Sequence, residues 1–564
     1  MPTCTLALRT LVIFWLLVVP TALQAQTWQW ATGLTGSNIG SSVVYATALD
    51  GNGNTVVAGK FSGTVTFGTT TLTSLGNTDV FVGRLNSMGQ WTQAVQAGGI
   101  REDYPVALAL NTAGVATVLG KFYSTTAQFG TTTLTNASSN DEADVFVAQL
   151  SSIGTWSRAV RGGGEKSEFP SALALDAAGN VLITGYFFGP SSSFGTTTLI
   201  NADLTSTKAD IFVARLDNFG TWSQAVRAGG PDDDRAEALA IDASGVAVIG
   251  GSFDSPTISF GTTTLTNANT SGTSPDAFVA RLNANGTWGQ AIRAGGAAED
   301  QIDDLTLDRN GNTVVVGYFR GPAIALGATT LANAAPASNT LDIFVAQLNA
   351  AGVWTQAVQA GGTGNDRASS LALASNGSIT ITGLFSGTSR FGPYTLTNAD
   401  PTGVTADVVV ARLSSTSSWL QAVRAGGPAN DLVFTSALAS NGDVTVGGYF
   451  TDASTTFGTT TLLASDTNGS AFVARLTNLT LAAKQPSTTE TIRLAPNPTY
   501  TTATFTLPAQ TVPRAVLLLD ALGREVRHYT LPTRATSTTV DVIGLAPGMY
   551  IVRCGADKGR LLVE

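Results

Sequence analysis

Apolar positions along this chain fall in short segments that either alternate with polar residues or run apolar. Around Trp156 four such segments follow one another: TWSRAVRGG, SALALD, NVLITGYF and DIFVARLD. A two-residue period with β-branched and aromatic residues predicts strands. SALALD and NVLITGYF are joined by Asp176 to Gly179, where Asp accepts local N–H bonds and Gly supplies φ > 0. Asn218 to Gly220 makes a second hairpin with the next Trp segment. Two linked hairpins form a four-stranded meander. One such sheet cannot bury both of its faces alone, so copies of it must stack.

The copies are present. Trp28, Trp91, Trp156, Trp222, Trp288, Trp354 and Trp419 recur at spacings of 63 to 66 residues. Gly68, Gly130, Gly195, Gly261, Gly327, Gly392 and Gly458, which follow the Phe (Leu in one copy) of the FGTTTL segment, give the same count. So do Phe61, Phe122, Phe187, Phe253, Phe319, Phe385 and Phe450. Seven radially stacked meanders predict an all-β, seven-bladed β-propeller. The first copy opens with its Trp segment, and the last ends at Leu476 with no Trp segment after it. With SALALD innermost and the Trp segment outermost, residues 28–34 are predicted to complete the last blade and latch the ring. The copies run to 66 residues, against about 40–45 for a WD-type blade. The surplus lies between GYF and DIFVA, where FGTTTL is expected to add one short strand. This connection and the outer-to-inner one share a face, and the copies differ most there, as at 139–143, 204–208 and 270–274. Recognition is expected on that face.

Composition narrows the chemistry. Only 12% of the 564 residues are charged, about half the average share, and with 61 Gly this suits strands and turns. Thirty basic against 39 acidic residues argue against a nucleic-acid surface. His528 and Cys554 both lie beyond the propeller, which removes Ser–His, Cys–His and His-bound metal chemistry there. Arg9, the apolar run Leu11 to Val19 and the segment up to Ala25 read as a signal peptide over 1–25, cleaved between Ala25 and Gln26. The run is too short for a spanning helix and none like it follows, so no transmembrane segment is expected in the mature chain. Cys4 leaves with the peptide, so Cys554 has no partner for an intrachain disulfide.

The recurring W-x-x-A-V-x-A-G-G-x-x-x-D, A-L-A-x-D-x-x-G-N, G-Y-F-x-G, F-G-T-T-T-L-T and D-x-F-V-A-R-L pattern resembles the bacterial SBBP repeats over about residues 26–480. The resemblance implies an extracytoplasmic propeller and supplies no catalytic residues. Residues 481–493 read as a linker. Residues 494–564 carry Pro496-Asn497-Pro498, a strand turning at Gly523, and a strand entry at Pro547-Gly548. They resemble the C-terminal sorting domain of the type IX secretion system, although no basic run follows Arg560. Short strands and turn signals suit a small Ig-like β-sandwich. The resemblance implies the type IX machinery as a partner, and a secreted or outer-surface location in a Gram-negative bacterium.

Six copies place an acid four residues after Gly-Gly: Asp103, Glu168, Asp234, Asp300, Asp366 and Asp431, with Gly40 at this place in the first copy. These form either a carboxylate ring around a channel mouth or six turn caps, and the repetition favours caps. The same logic covers Asp79, Asp144, Asp210, Asp276, Asp342 and Asp407. Asp50-Gly-Asn52 and Asp308-Arg-Asn310 resemble the start of a Ca²⁺ loop but lack its later ligands, so turns are favoured and no cofactor is expected. The seven Trp side chains are either a carbohydrate platform or filler between blades, and filler is favoured. The expected role is binding, adhesion or scaffolding, with a glycan or protein ligand on the long-connection face. A carboxylate-based glycoside hydrolase and a rigid spacer remain open, because the sequence singles out no pair of acids.

Overall fold

The computed structural model describes residues 27–35, 39–138, 140–205, 207–269, 274–464, 469–477, 493–506, 512–520, 524–554 and 557–564. The signal-peptide reading, its Ala25–Gln26 cleavage site, residues 481–492 of the linker and Gly523 lie outside the described residues. The chain divides into two compact units, one spanning Ala25–Asn478 and one holding Leu479–Glu564. Among the described residues every regular element is a strand except one 3-10 turn, Pro336–Ser338.

The first unit is a seven-bladed propeller. In blade 2 the strands run from the axis outward as Asp103–Leu110, Ala116–Phe122, Asp144–Leu150 and Trp156–Gly164, each antiparallel to the next. The second and third strands read as apolar runs because neighbouring blades cover both of their faces; in blade 3 nearly all of Val181–Phe187 and Asp210–Leu216 is buried. At the hairpin between the first two strands of blade 3, Gly179 takes φ 81 and donates its N–H to Asp176 O at 3.0 Å.

The ring closes twice. At the axis, the Thr47 N–H of blade 1 donates to Thr435 Oγ1 of blade 7 at 3.0 Å. At the rim, Trp28–Gly33 pairs antiparallel with Ser470–Leu476, from Trp28 opposite Leu476 to Gly33 opposite Phe472. The N-terminal strand is thus the outer strand of the last blade.

The FGTTTL segment differs from the sequence expectation. It forms a two-stranded hairpin, as in Thr126–Phe129 with Thr132–Thr135, because Gly130 and Thr131 make a tight turn between them, with Gly130 at φ 60. The hairpin reaches back to the preceding blade. Gly163 and Gly164, ending the outer strand of blade 2, pair with Ser193 and Ser192 of the next hairpin. Trp closes the same seam. Trp222 donates Nε1–H to Arg161 O of the preceding outer strand at 2.8 Å, and Trp156 likewise to Gln96 O at 3.0 Å. Phe194 meets the Trp222 ring edge-on at 5.1 Å. The surplus in each repeat therefore fastens blade to blade.

The C-terminal unit is a sandwich of a three-stranded and a four-stranded sheet. Its core holds Phe505, Val516, Leu518, Val540, Val552 and Leu561. Asn497 of the Pro-Asn-Pro segment accepts the Leu562 N–H at 2.8 Å and donates to Arg560 O at 2.7 Å, tying that segment to the last strand. Gly548, after Pro547, begins the strand Gly548–Cys554 and lies opposite Val563. Cys554 is buried in the same core.

Candidate functional site at the channel mouth

The repeated acids come first, because their placement decides what the channel can present. Asp103, Glu168, Asp234, Asp300, Asp366 and Asp431 each begin an inner strand and are at most 1% exposed. They offer the channel no charge. Asp103 Oδ2 accepts the Gly99 N–H at 2.6 Å and the Ser124 hydroxyl at 2.7 Å, and Asp234 repeats both bonds with Gly230 and Ser255. Each acid also faces a second one from the third strand of the preceding blade. A Cβ on Gly163 would stand 2.2 Å from Asp144 Oδ1 and 2.6 Å from Glu168 Oε2, so the two carboxylates occupy the space that the glycine leaves open. Gly98 separates Asp79 from Asp103 in the same way, and Gly426 separates Asp407 from Asp431.

On the third-strand acid, Oδ2 is well supplied. Asp144 Oδ2 accepts the Ala137 N–H at 2.7 Å and Arg161 Nη1 at 2.8 Å, while Asp407 takes Ala399 and Arg424. Oδ1 of Asp79, Asp144, Asp210, Asp276, Asp342 and Asp407 is buried and makes no conventional hydrogen bond. Burial, then the neighbouring carboxylate, pushes members of both sets up: Asp79 to about 7 on the third strand, and Asp300 to about 8 and Asp431 to about 6 on the inner strands.

The seventh seam shows what the pair is for. Strand register places Ser42, rather than Gly40, opposite Phe61 where the other copies set an acid opposite the equivalent Phe. Ser470 stands opposite Phe450 at the third-strand place. Ser42 Oγ accepts the Ala471 N–H at 3.0 Å, and its own N–H donates to Gly469 O. Both acids are thus replaced together by hydroxyls at the latch, and the pair acts as a unit of seam architecture.

With the repeated acids buried, the channel belongs to positions that do not repeat. Every inner strand carries a β-bulge that skips one residue: Tyr45, Val106, Ser171, Glu237, Asp303, Ser369 or Phe434. Pro105 and Pro170 immediately precede the skipped residue in two blades, where a missing N–H is tolerated. The bulge turns the skipped side chain toward its counterparts on neighbouring blades. Tyr45 packs on Phe434 at 5.3 Å, Ser171 lies beside Glu237, and Glu237 lies in the field of Asp303. Burial and that field push Glu237 up to about 7. Asp303 is gripped by Arg367 through Nη2 at 2.7 Å and Nε at 3.3 Å, and by Gln301 Nε2 at 2.9 Å.

Toward the long-connection face the channel is two-sided. On blades 7, 1, 2 and 3 rings follow one another: Tyr449 to Phe434 at 5.8 Å, Phe434 to Tyr45 at 5.3 Å, Tyr45 to Tyr104 at 6.0 Å. Lys121 stands between Tyr104 at 4.9 Å and Phe169 at 3.9 Å, and Phe169 stacks on Tyr186 at 5.3 Å. Burial among these groups brings the Lys121 ammonium down to about 8. Blades 4 to 6 bring polar groups instead. Tyr318 OH donates to Glu299 at 2.7 Å, and Arg320 Nε does so at 3.0 Å. A pocket of about 480 Å³ opens there among Asp233, Arg235, Asp254, Glu299 and Gln301.

Sequence reasoning missed Glu237, Asp303 and the aromatic arc. The signal was available in the columns one and three residues after the repeated acid, which differ from copy to copy while their neighbours repeat. Elsewhere, Asp50 Oδ1 accepts the N–H groups of Asn52 and Asn54 at 2.9 Å, so this oxygen of the Asp-Gly-Asn loop serves its own turn. Among the described residues, no group of three or more His, Cys, Asp or Glu is placed to hold a metal ion.

Comparison with known proteins bears on the C-terminal unit first. Residues 493–563 match the family described as secretion system C-terminal sorting domain. This chain carries a type IX sorting domain. With that domain the protein is exported to the cell surface or secreted, and engages the type IX machinery. The chain is also 28% identical over 201 residues to regulatory protein FlaEY of Caulobacter vibrioides, covering 34% of this chain and 20% of that protein. Solved structures similar to it include a fungal alcohol oxidase of the AA5 family in complex with copper. That likeness has a TM-score of 0.39 at 12% identity, over 95% of this chain and 99% of the other. YCF48 bound to D1 peptide gives 0.37 at 8%, over 81% and 96%. A protein of unknown function from Dyadobacter fermentans gives 0.36 at 10%, over 80% and 99%. Among the described residues, no helix is long and apolar enough to cross a membrane.

Proposed function

We propose that the propeller is a binding or adhesion module of the bacterial exterior that recognises its ligand at the long-connection mouth of the channel. One observation carries this reading. The seven copies repeat in their seams, turns and cores, yet diverge at the bulge residues and the residues beside them, where blades 7 to 3 bring rings and blades 4 to 6 bring charged and amide groups. Binding sites collect such convergent, unlike groups, whereas a spacer needs none. Adherence of the secreted protein to mucin-coated and matrix-coated surfaces should fall at least about tenfold when Tyr45→Ala and Glu237→Gln are combined. Unchanged adherence by this variant would remove the mouth from the reading.

The acid pair Glu237 and Asp303 favours a second reading, glycoside hydrolysis. A carboxyl held up to about 7 beside one fixed by a guanidinium supplies a proton donor and an ionised partner. Release of reducing ends from a polysaccharide by the wild type, lost in Glu237→Gln, would establish it; equal release by both would dismiss it.

A further inference from the structure

Accepting the mouth as the recognition site, we infer that it takes a neutral saccharide chain, with sugar faces on the aromatic arc and hydroxyls toward the polar arc. The ionisable groups of the polar arc are largely balanced: Asp303 is paired with Arg367, Glu299 with Arg320 and Asp233 with Lys208, Asp254 lies in the field of Arg235, and burial holds Glu237 up to about 7. Across the channel, Lys121 is spent on the faces of Tyr104 and Phe169. A site built for a charged ligand leaves a charge in surplus, whereas this one spends its charges on fixing donors and acceptors in place. What it retains is hydrogen-bonding capacity.

Two pocket side chains show that capacity unspent. Arg235 and Asp254 line the same pocket, and Arg235 Nε and Asp254 Oδ1 make no hydrogen bond within the protein. A sugar hydroxyl is both donor and acceptor, so it can accept from Arg235 and donate to Asp254. A ligand that offers both functions to these two side chains is therefore the better match.

The opposite wall supplies the apolar half of saccharide recognition. Phe169 and Tyr186 stack within 11° of parallel, and the arc continues through Tyr104 and Tyr45 to blade 7. Aromatic faces accept the C–H face of a pyranose, while tyrosine edges stay wetted. The pocket, at about 480 Å³, falls in the range of small-ligand sites, about 300–1,000 Å³. An extended chain of sugars can cross from one arc to the other; a single aromatic or acyl group would leave the polar arc unanswered.

The test is calorimetric titration of the secreted full-length protein with cellohexaose, maltohexaose and mannohexaose, beside hexalysine and polygalacturonate as charged probes. At least one neutral oligosaccharide should bind, with affinity lowered about tenfold or more by Arg235→Met and by Tyr104→Ala, and retained in Asp50→Asn on the hairpin face. Thermal melting checks that each variant is folded, and Arg235→Met keeps the test open if Tyr104→Ala is not. Binding of a charged probe alone, weakened by the same variants, would overturn the ligand class and leave the mouth as the recognition site. Neutral binding indifferent to both variants would overturn the placement. No binding of any neutral probe at millimolar concentration would overturn the inference, while the adherence experiment judges the mouth separately.

Discussion

Deletion of residues 26–40 is expected to leave the propeller unable to fold into a protease-resistant ring. The deleted stretch contains Trp28–Gly33, the outer strand of the last blade, and removes the pairing of Ser470–Leu476 along one whole edge. Phe472, Ala474 and Leu476 are fully buried beneath it. Trp28 itself is 7% exposed and packs edge-on against Phe457 at 5.0 Å. Truncating one such tryptophan costs about 3–5 kcal/mol, against a total stability of about 5–15 kcal/mol for a typical protein. The lost ladder and the newly exposed strand edge add to that cost. Most terminal trims are tolerated because few contacts cross them; this terminus instead holds the first and last blades together. Limited proteolysis and thermal melting of the deletion variant decide the matter, and wild-type resistance would show that the ring closes without its latch. Trp28→Ala should fall between the two.

The latch, the blade count and the order of strands were legible in the sequence because each rests on a repeated signal. Seven Trp, seven glycines of the FGTTTL type and a missing last Trp segment require no knowledge of packing. The FGTTTL segment was read one strand short because a two-residue turn at Gly-Thr leaves the hydrophobic period unbroken on either side. Its attachment to the preceding blade depends on curvature that no local pattern records. The first copy was misaligned for a related reason. Counting from Gly-Gly points to Gly40, whereas strand pairing sets Ser42 opposite Phe61. The channel site was hidden more deeply, because a search for broken motifs passes over columns that never formed one. Glu237 and Asp303 sit in such a column, and only the bulge turns it toward the channel. Buried charge is equally unreadable: nothing in the spacing of Asp144 and Glu168 says that two strands of different blades bring them to either side of one glycine.

Those seam carboxylates set the direction of the protein's pH dependence. The propeller should be most stable near pH 4, and its melting temperature should fall by several degrees as the pH rises from 5 to 8. At six seams two acids share a buried space, and both cannot ionise without placing like charges side by side out of water. Arg161 and Arg424 reach only Oδ2 of their partners, and at two seams a glutamine, Gln96 or Gln359, takes the place of the arginine. The folded-state values therefore lie above the usual carboxylate range, with Asp79 at about 7 and Asp300 at about 8. An unfolded chain releases these protons near pH 4. Between the two values the folded state holds more protons, so the stabilisation is complete below the unfolded value and is lost as the pH climbs through the folded one. Each retained proton contributes a slope of about 1.4 kcal/mol per pH unit. Asp203 and Asp400 act in the opposite sense, because hydroxyl and N–H donors of Thr205 and Thr402 hold them low. Their contribution is lost only below about pH 4, which places the optimum between the two effects. Asp300→Asn should flatten the alkaline limb, since an amide cannot ionise and still offers a donor to Asp276. A melting temperature that holds steady or rises from pH 5 to 8 would mean that the seams carry their charges fully ionised, with the arginines and backbone N–H groups compensating both acids at once.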